Sequence, residues 1–203
     1  FGGRTGEATR VATKAIALED YMSKKSRENH ERNEIYIHDL DSYASGMHNC
    51  LSIPFDDLLA KGFSTKQTDV RPAGSVATAF QLLAVIFQLQ SLDQFGGVSA
   101  THIDWTMVPY VRKSFWKHYK DGLKWIAHDT PVTIIHPEEV SIDDKLYKSN
   151  PGVYKFAYDH LLQEIHQATE ANFHNMNTLQ SRSGNQLPFT SINFGTCTLP
   201  EGR

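Results

Sequence analysis

Cys50 is the residue with the most chemistry open to it. It closes the string Gly46-Met47-His48-Asn49-Cys50, and the segment from Met47 to Phe55 alternates in type. Met47, Leu51, Ile53 and Phe55 fall on one side, and His48, Cys50 and Ser52 on the other, which is the two-residue period of a strand. Asn49 breaks the alternation by falling on the apolar side. A strand with one apolar face and one small, reactive face suits the wall of a pocket. Two readings of the thiol stand side by side. Free cysteines are among the most buried residue types, so Cys50 can be a packed structural thiol. Alternatively it is a redox or nucleophilic thiol tuned by His48 on the same face, although a lone histidine is as readily a satisfied core residue. Cys197, in Phe194-Gly195-Thr196-Cys197-Thr198, has no histidine near it, and its Gly and Thr neighbours imply a tight turn. A packing role is expected there.

Other candidates are weaker. Lys113, Lys117, Lys120 and Lys124 follow the i, i+4, i+7, i+11 spacing of one helix side. Such a ridge is either a solvated face or an anion site for nucleotide phosphates. His160, His166 and His174 are spaced too widely for ligand pairs on a helix, which stand three or four residues apart. There is no CxxC pair, no GxxxxGKS/T loop, no GxGxxG fingerprint and no GxSxG elbow. Those absences set aside ordinary NTPase, dinucleotide and serine-hydrolase readings, and no metal is expected on these residues.

These side chains need a scaffold to position them, and the composition supplies one. With 203 residues, 40% hydrophobic and 21% charged, the chain can pack a core. A net charge of −3 argues against direct nucleic-acid binding. Two distant cysteines make no disulfide framework, so a reducing, cytoplasmic setting is expected. The ends, Phe1-Gly2-Gly3-Arg4 and Pro200-Glu201-Gly202-Arg203, read as cuts through a longer protein.

Helical spacing of Val11, Ala15, Leu18 and Met22 predicts a lead-in helix over residues 7–31, and Ile35-Tyr36-Ile37 a short strand. No charge occurs from Pro72 to Leu92, and Val76 to Phe95 is apolar nearly all round. Its glutamines make membrane insertion costly, so burial in a large protein or at a subunit interface is expected. Ser75 is placed to cap this helix and Gly96-Gly97 to stop it. A second long helix is expected over Asp104 to Ala127. A third opens at Asn150-Pro151-Gly152, with Val153, Phe156, Ala157, Leu161, Ile165 and Ala168 on its buried side. Val132 to Ile135 and Leu187 to Phe194 read as strands, the latter after a polar loop at Ser181 to Gln186. Strands separated by long helices mean an α/β fold with a parallel component.

Five strings, read together, resemble the anaerobic (class III) ribonucleotide reductases. They are Ile35-Tyr36-Ile37-His38-Asp39-Leu40, Gly46 to Cys50, Arg71-Pro72-Ala73-Gly74-Ser75, Gln94-Phe95-Gly96-Gly97 and Gly184-Asn185-Gln186-Leu187-Pro188-Phe189-Thr190. Their order across Ile35 to Arg203 makes the likeness specific. The resemblance implies the ten-stranded α/β barrel of ribonucleotide reductases and glycyl radical enzymes, built from two antiparallel halves that are each a parallel sheet. Residues 1–34 would be a helical lead-in and residues 35–203 the first half of that barrel, with long helices.

The implied activity is reduction of ribonucleoside triphosphates to deoxyribonucleoside triphosphates for DNA synthesis. In such enzymes a glycyl radical generates a thiyl radical on a finger-loop cysteine, which abstracts the ribose 3′-hydrogen. The 2′-hydroxyl leaves as water, and formate or a thiol donor supplies electrons. Cys50 matches the family's cysteine on the first barrel strand, which takes part in reducing the substrate radical, and His48 and Asn49 would line the substrate pocket. Cys197 falls where relatives need no cysteine; the thiyl residue follows a later Met-Gly motif expected beyond Arg203. The glycyl radical motif, a four-cysteine structural zinc site and an N-terminal ATP cone are not found in these residues, so this piece is expected to be inactive alone. The resemblance also implies a homodimer, a radical-SAM activating enzyme, and allosteric deoxynucleotide or ATP effectors bound near the dimer interface. Lys117, flanked by Lys113 and Lys120, would then meet effector phosphates. Two rivals remain: a glycyl radical enzyme of the pyruvate formate-lyase type, and a non-catalytic nucleotide-binding dimerisation module.

Overall fold

The computed structural model describes residues 2–44, 48–94, 96–129, 133–178 and 189–203. The chain opens with α1 (Gly2–Ile16), which runs through a π-helical turn at Ala17–Tyr21 and, after a break at Met22, into α2 (Lys24–Glu31). Ser23 caps α2 by accepting the Ser26 N–H at 3.1 Å. The expected lead-in helix is therefore two helices, and its apolar side is not buried: Val11 is 71% exposed. Among the described residues of this stretch only Ala17 is buried. The strand expected at Ile35-Tyr36-Ile37 does not form. Its β-propensity has no partner strand to pair with, and the Ile37 N–H instead donates to His30 Nδ1 at 3.2 Å.

After the single turn α3 (Leu40–Tyr43) come β1 (Leu51–Ser52), α4 (Phe55–Lys61) and a small antiparallel pair, β2 (Phe63–Ser64) with β3 (Asp69–Val70). Gly62 ends α4 with a φ of 77°, a conformation in which a Cβ would strike the Val70 carbonyl. The long helix whose residues are uncharged up to Leu92 is α5 (Val76–Asp93), and β4 (Val98–Ala100) follows it. Then come α6 (Ile103–Thr106) and α7 (Val108–Gly122), with Pro109 tolerated in the first turn of α7. A π-helical turn at Leu123–Ala127 continues α7, so the expected helix over 104–127 is present with a break at Met107. Residues 133–135 are not a strand; Val132 lies outside the described residues. After the single turn α8 (Lys145–Lys148), α9 (Pro151–Thr178) begins as expected, with Asn150 Oδ1 accepting the Val153 N–H at 3.3 Å. The last strand, β5 (Thr190–Ile192), is shorter than the expected Leu187 to Phe194, of which Leu187 and Pro188 lie outside the described residues.

Strands β1, β4 and β5 form a parallel sheet in that order. Parallel neighbours require crossovers, and here α5 supplies the first and α6 to α9 the second. Helices α4 to α9 pack into one core with the sheet's inner face. Leu83 and Phe87 of α5, Phe115 of α7 and Leu161 of α9 are all buried to 1% exposure or less. Each such side chain contributes about 1.5–3 kcal/mol relative to exposure. At Gly122 the crossing of α7 and α9 is close: an added Cβ would lie 2.9 Å from Val153 Cγ1 and 3.0 Å from Phe156 Cδ1. The core side of α5 carries Val76, Ala79, Leu83, Ala84, Ile86 and Phe87. Its other side is also uncharged yet reaches the surface at Leu89 and Leu92, 39% and 57% exposed. Among the described residues no helix is long and apolar enough to cross a membrane. The architecture is a helix-rich α/β fold with a parallel sheet.

Candidate functional site

The sheet turns one face to the helices and leaves the other open. Its inner face carries Val98 and Ala100, buried to 1% and 0% exposure. In parallel pairing, residues in register share a face, so Ser52, Ser99 and Ser191 form a row across the open side. The Ser99 and Ser191 hydroxyls are hydrogen-bonded at 2.7 Å. Cys50 stands two residues before Ser52 and joins the same face. His48, Asn49, Cys50 and Ser52 are exposed, whereas Ile53 and Phe55 pack into the core. Burial alternates from Leu51 to Phe55, but Asn49 is exposed together with its neighbours His48 and Cys50, and regular pairing is confined to Leu51–Ser52 and an isolated bridge of His48 with Gln94. Gly46 and Met47 lie outside the described residues.

The Cys50 sulfur is held by the chain end of α5. The Gly97 N–H donates to Sγ at 3.3 Å, and the thiol lies 3.5 Å from Asn49 Oδ1. Among the described residues His48 is not a hydrogen-bond partner of the sulfur. Gly96 lets the two segments meet: a Cβ there would lie 2.7 Å from the Asn49 carbonyl carbon and the Cys50 nitrogen. Beyond the thiol the pairing continues, with the Leu51 N–H donating to the Gly97 carbonyl and the Ile53 N–H to the Ser99 carbonyl, each at 3.3 Å. Cys197 sits elsewhere. It is buried, with Gly202 backed against its sulfur, and its N–H and that of Gly195 donate to Asp104 at 2.9 and 2.8 Å. Burial opposes ionisation of Asp104, but these backbone donors together hold its carboxyl below the usual value.

The lysine ridge lies on α7 and its π-helical continuation rather than on the sheet. Lys113 Nζ lies 5.5 Å from the Tyr110 ring and Lys120 Nζ 5.5 Å from the Trp116 ring, with Lys117 exposed between them. The sequence did not disclose a buried polar cluster at the start of α5. There Glu164 of α9 accepts from Ser114 Oγ at 3.0 Å, and its second oxygen lies 2.7 Å from His118 Nε2. Ser114 Oγ in turn accepts the Val76 N–H at 3.0 Å, and the Ala77 N–H reaches Glu164. Burial raises the Glu164 pKa, yet the bonds from His118 and Ser114 outweigh it and leave the carboxyl below its ordinary value. Three helices are tied by this cap, and no spacing in the sequence signals it because its members come from α5, α7 and α9. Among the described residues no cluster of three or more His, Cys, Asp or Glu is placed to hold a metal ion.

The sequence model of the family described as "Anaerobic ribonucleoside-triphosphate reductase" matches residues 4–203. The chain belongs to this family. Relatives named anaerobic ribonucleoside-triphosphate reductase include one from Haemophilus influenzae, 27% identical over 95% of this chain, and one from Enterobacteria phage T4, 29% identical over 83% of it. The chain spans 24% of the length of each, about a quarter of the relatives it matches. Among solved structures, the anaerobic ribonucleotide reductase from Thermotoga maritima in complex with dATP and CTP aligns with a TM-score of 0.60 at 17% identity. It covers 93% of this chain and 26% of that one, and the likeness is one of fold.

Proposed function

We propose that these residues act within an anaerobic reductase that converts ribonucleoside triphosphates to deoxyribonucleoside triphosphates, and that Cys50 serves its reductive step. The observation that carries the reading is the placement of Cys50: an exposed thiol on the open face of a parallel sheet, beside a row of serine hydroxyls. On this reading residues 35–203 form the first half of a ten-stranded barrel and residues 1–34 lead into it. The open face then becomes the barrel interior, where a substrate ribose is shielded from water and a radical cannot leak. Activation of the ribose C–H bond is supplied by a glycyl radical from parts of the protein other than these residues. Cys50 gives its thiol hydrogen atom to the substrate radical left when the 2′-hydroxyl departs as water, and formate or a thiol donor restores that hydrogen. Asn49 and the Gly97 N–H orient its sulfur, and His48 and Asn49 line the pocket.

The same reading makes the protein a homodimer, activated by a radical-SAM enzyme and working in the cytoplasm. Thr78, Leu82, Val85, Leu89 and Leu92 follow the alternating three- and four-residue spacing of a helix-pairing seam on the outward side of α5. That uncharged seam supports a contact with a second copy, and exposed Lys117 supports an effector-phosphate site, with Lys113 and Lys120 beside it. The match over residues 4–203 favours the reductase over a lyase of the pyruvate formate-lyase type.

The test is anaerobic NTP reduction by the full-length, radical-activated protein and by its Cys50→Ala variant. Loss of deoxynucleotide product, with the glycyl radical signal still formed, is the expected result. Undiminished product from the variant would falsify the reductive role of Cys50.

A further inference from the structure

We infer that Gln94 is a positioning residue for Cys50, acting through the Gly96–Gly97 peptide; the inference rests on the reading of Cys50 as the reductive thiol. Gln94 is 1% exposed, which is unusual for a glutamine, and it lies just past the last residue of α5. Its side-chain amide is fully engaged. Nε2 donates to the Gly97 carbonyl at 2.6 Å and lies 3.4 Å from the Gly96 carbonyl, while Oε1 accepts from Gln90 Nε2 at 3.0 Å. Two carbonyl oxygens on one side require a donor there, so the orientation of the amide is set by its partners.

The consequence for the thiol follows from peptide geometry. The Gly96 carbonyl and the Gly97 N–H belong to one planar trans peptide, in which the two groups point in opposite directions. Drawing that carbonyl towards Gln94 turns the N–H away from it, and it is this N–H that meets Cys50 Sγ at 3.3 Å. Gly96 lies so close to the Asn49–Cys50 backbone that an added Cβ there would fall 2.7 Å from the Cys50 nitrogen. Gln90, Gln94, the Gly96–Gly97 turn and Cys50 therefore form one hydrogen-bonded chain from the core to the open face. A buried amide that merely closed α5 would stabilise the fold and leave the thiol unaffected.

The test uses the full-length protein. Alkylation of Cys50 by iodoacetamide at fixed pH is followed by mass spectrometry of its peptide in the wild type, in Gln94→Met and in a control, Ser114→Ala. The Gly97 N–H holds the sulfur in place on the open face, and the alkylation rate reads that placement. Gln94→Met is expected to slow Cys50 alkylation about three- to tenfold, the effect of weakening the one backbone hydrogen bond that places the sulfur. Its kcat for NTP reduction should fall by a similar factor with KM unchanged. Ser114→Ala, which loses a buried hydrogen bond at the far end of α5, should lower heat stability and leave the alkylation rate alone. A folded Gln94→Met alkylated at the wild-type rate overturns the inference. Should that variant not fold, Gln90→Met carries the test, because it leaves Gln94 in place but releases its amide. A slowing of about twofold is expected, and the wild-type rate overturns the proposal. Full turnover by Cys50→Ala would instead overturn the reading of Cys50, while the alkylation rates still decide the geometry.

Discussion

Replacing Glu164 by alanine tests the polar cap that ties three helices together. Its side chain is 16% exposed, and it accepts from Ser114 at 3.0 Å, from His118 at 2.7 Å and from the Ala77 N–H at the start of α5. Orphaning a helix N-terminal N–H costs about 1 kcal/mol. Loss of the two side-chain bonds to the carboxylate adds about 2 kcal/mol, since water replaces part of the His118 bond. A total near 3 kcal/mol at neutral pH is expected (~3 kcal/mol), read by urea denaturation through the fluorescence of Trp116, which packs in the neighbouring core. The sign of the pH dependence follows from the carboxyl, whose folded value lies below the ordinary 4.5. Its contribution is present above the unfolded value and disappears as pH falls through the folded one. The gap between variant and wild type should therefore close in acid, below 4.5. A loss smaller than about 0.5 kcal/mol at neutral pH, or one that persists unchanged in acid, would refute this account of the cap.

Three further outcomes are expected. Gly122→Leu forces a side chain into the α7–α9 crossing against Val153 and Phe156; overpacking should cost about 1–3 kcal/mol in chemical denaturation, and Gly122→Ala less. Arg112→Met removes the partner of Glu201, whose side chain is 0% exposed and bonded to Arg112 Nε at 2.9 Å. An uncompensated buried charge should cost about 3–5 kcal/mol, and the loss should shrink in acid, because burial raises the Glu201 pKa but Arg112 and the Ile142 N–H hold it below the ordinary 4.5. On the proposed effector site, Lys117→Ala in the full-length protein should weaken deoxynucleotide effector binding about three- to tenfold by calorimetry. Unchanged affinity together with unchanged substrate preference would remove the effector site from α7.

The sequence by itself determined the features that are local. Uncharged Val76 to Leu92 is helical because nothing in it breaks a helix, and Ser75 and Asn150 cap their helices because a cap needs only its own first turn. The two faces of the Cys50 segment were legible because strand alternation is written residue by residue. The order of five short strings was enough to place the family, whose model covers residues 4–203. Tertiary structure decided whatever required a partner from elsewhere in the chain. Ile35-Tyr36-Ile37 has the composition of a strand and no strand to pair with, whereas Leu51–Ser52 is a strand because Val98–Ser99 lies beside it. The lead-in helix α1 packs against α3 yet leaves Val11 and Ile16 exposed, which helical spacing cannot foretell. The sulfur of Cys50 is oriented by Gly97, 47 residues away, and the string Gln94-Phe95-Gly96-Gly97 does not disclose the task of its glutamine until the carbonyl partners are seen. Local propensity and period depend on neighbours within a turn or a strand, while hydrogen-bond partners across elements depend on how the helices and the sheet pack.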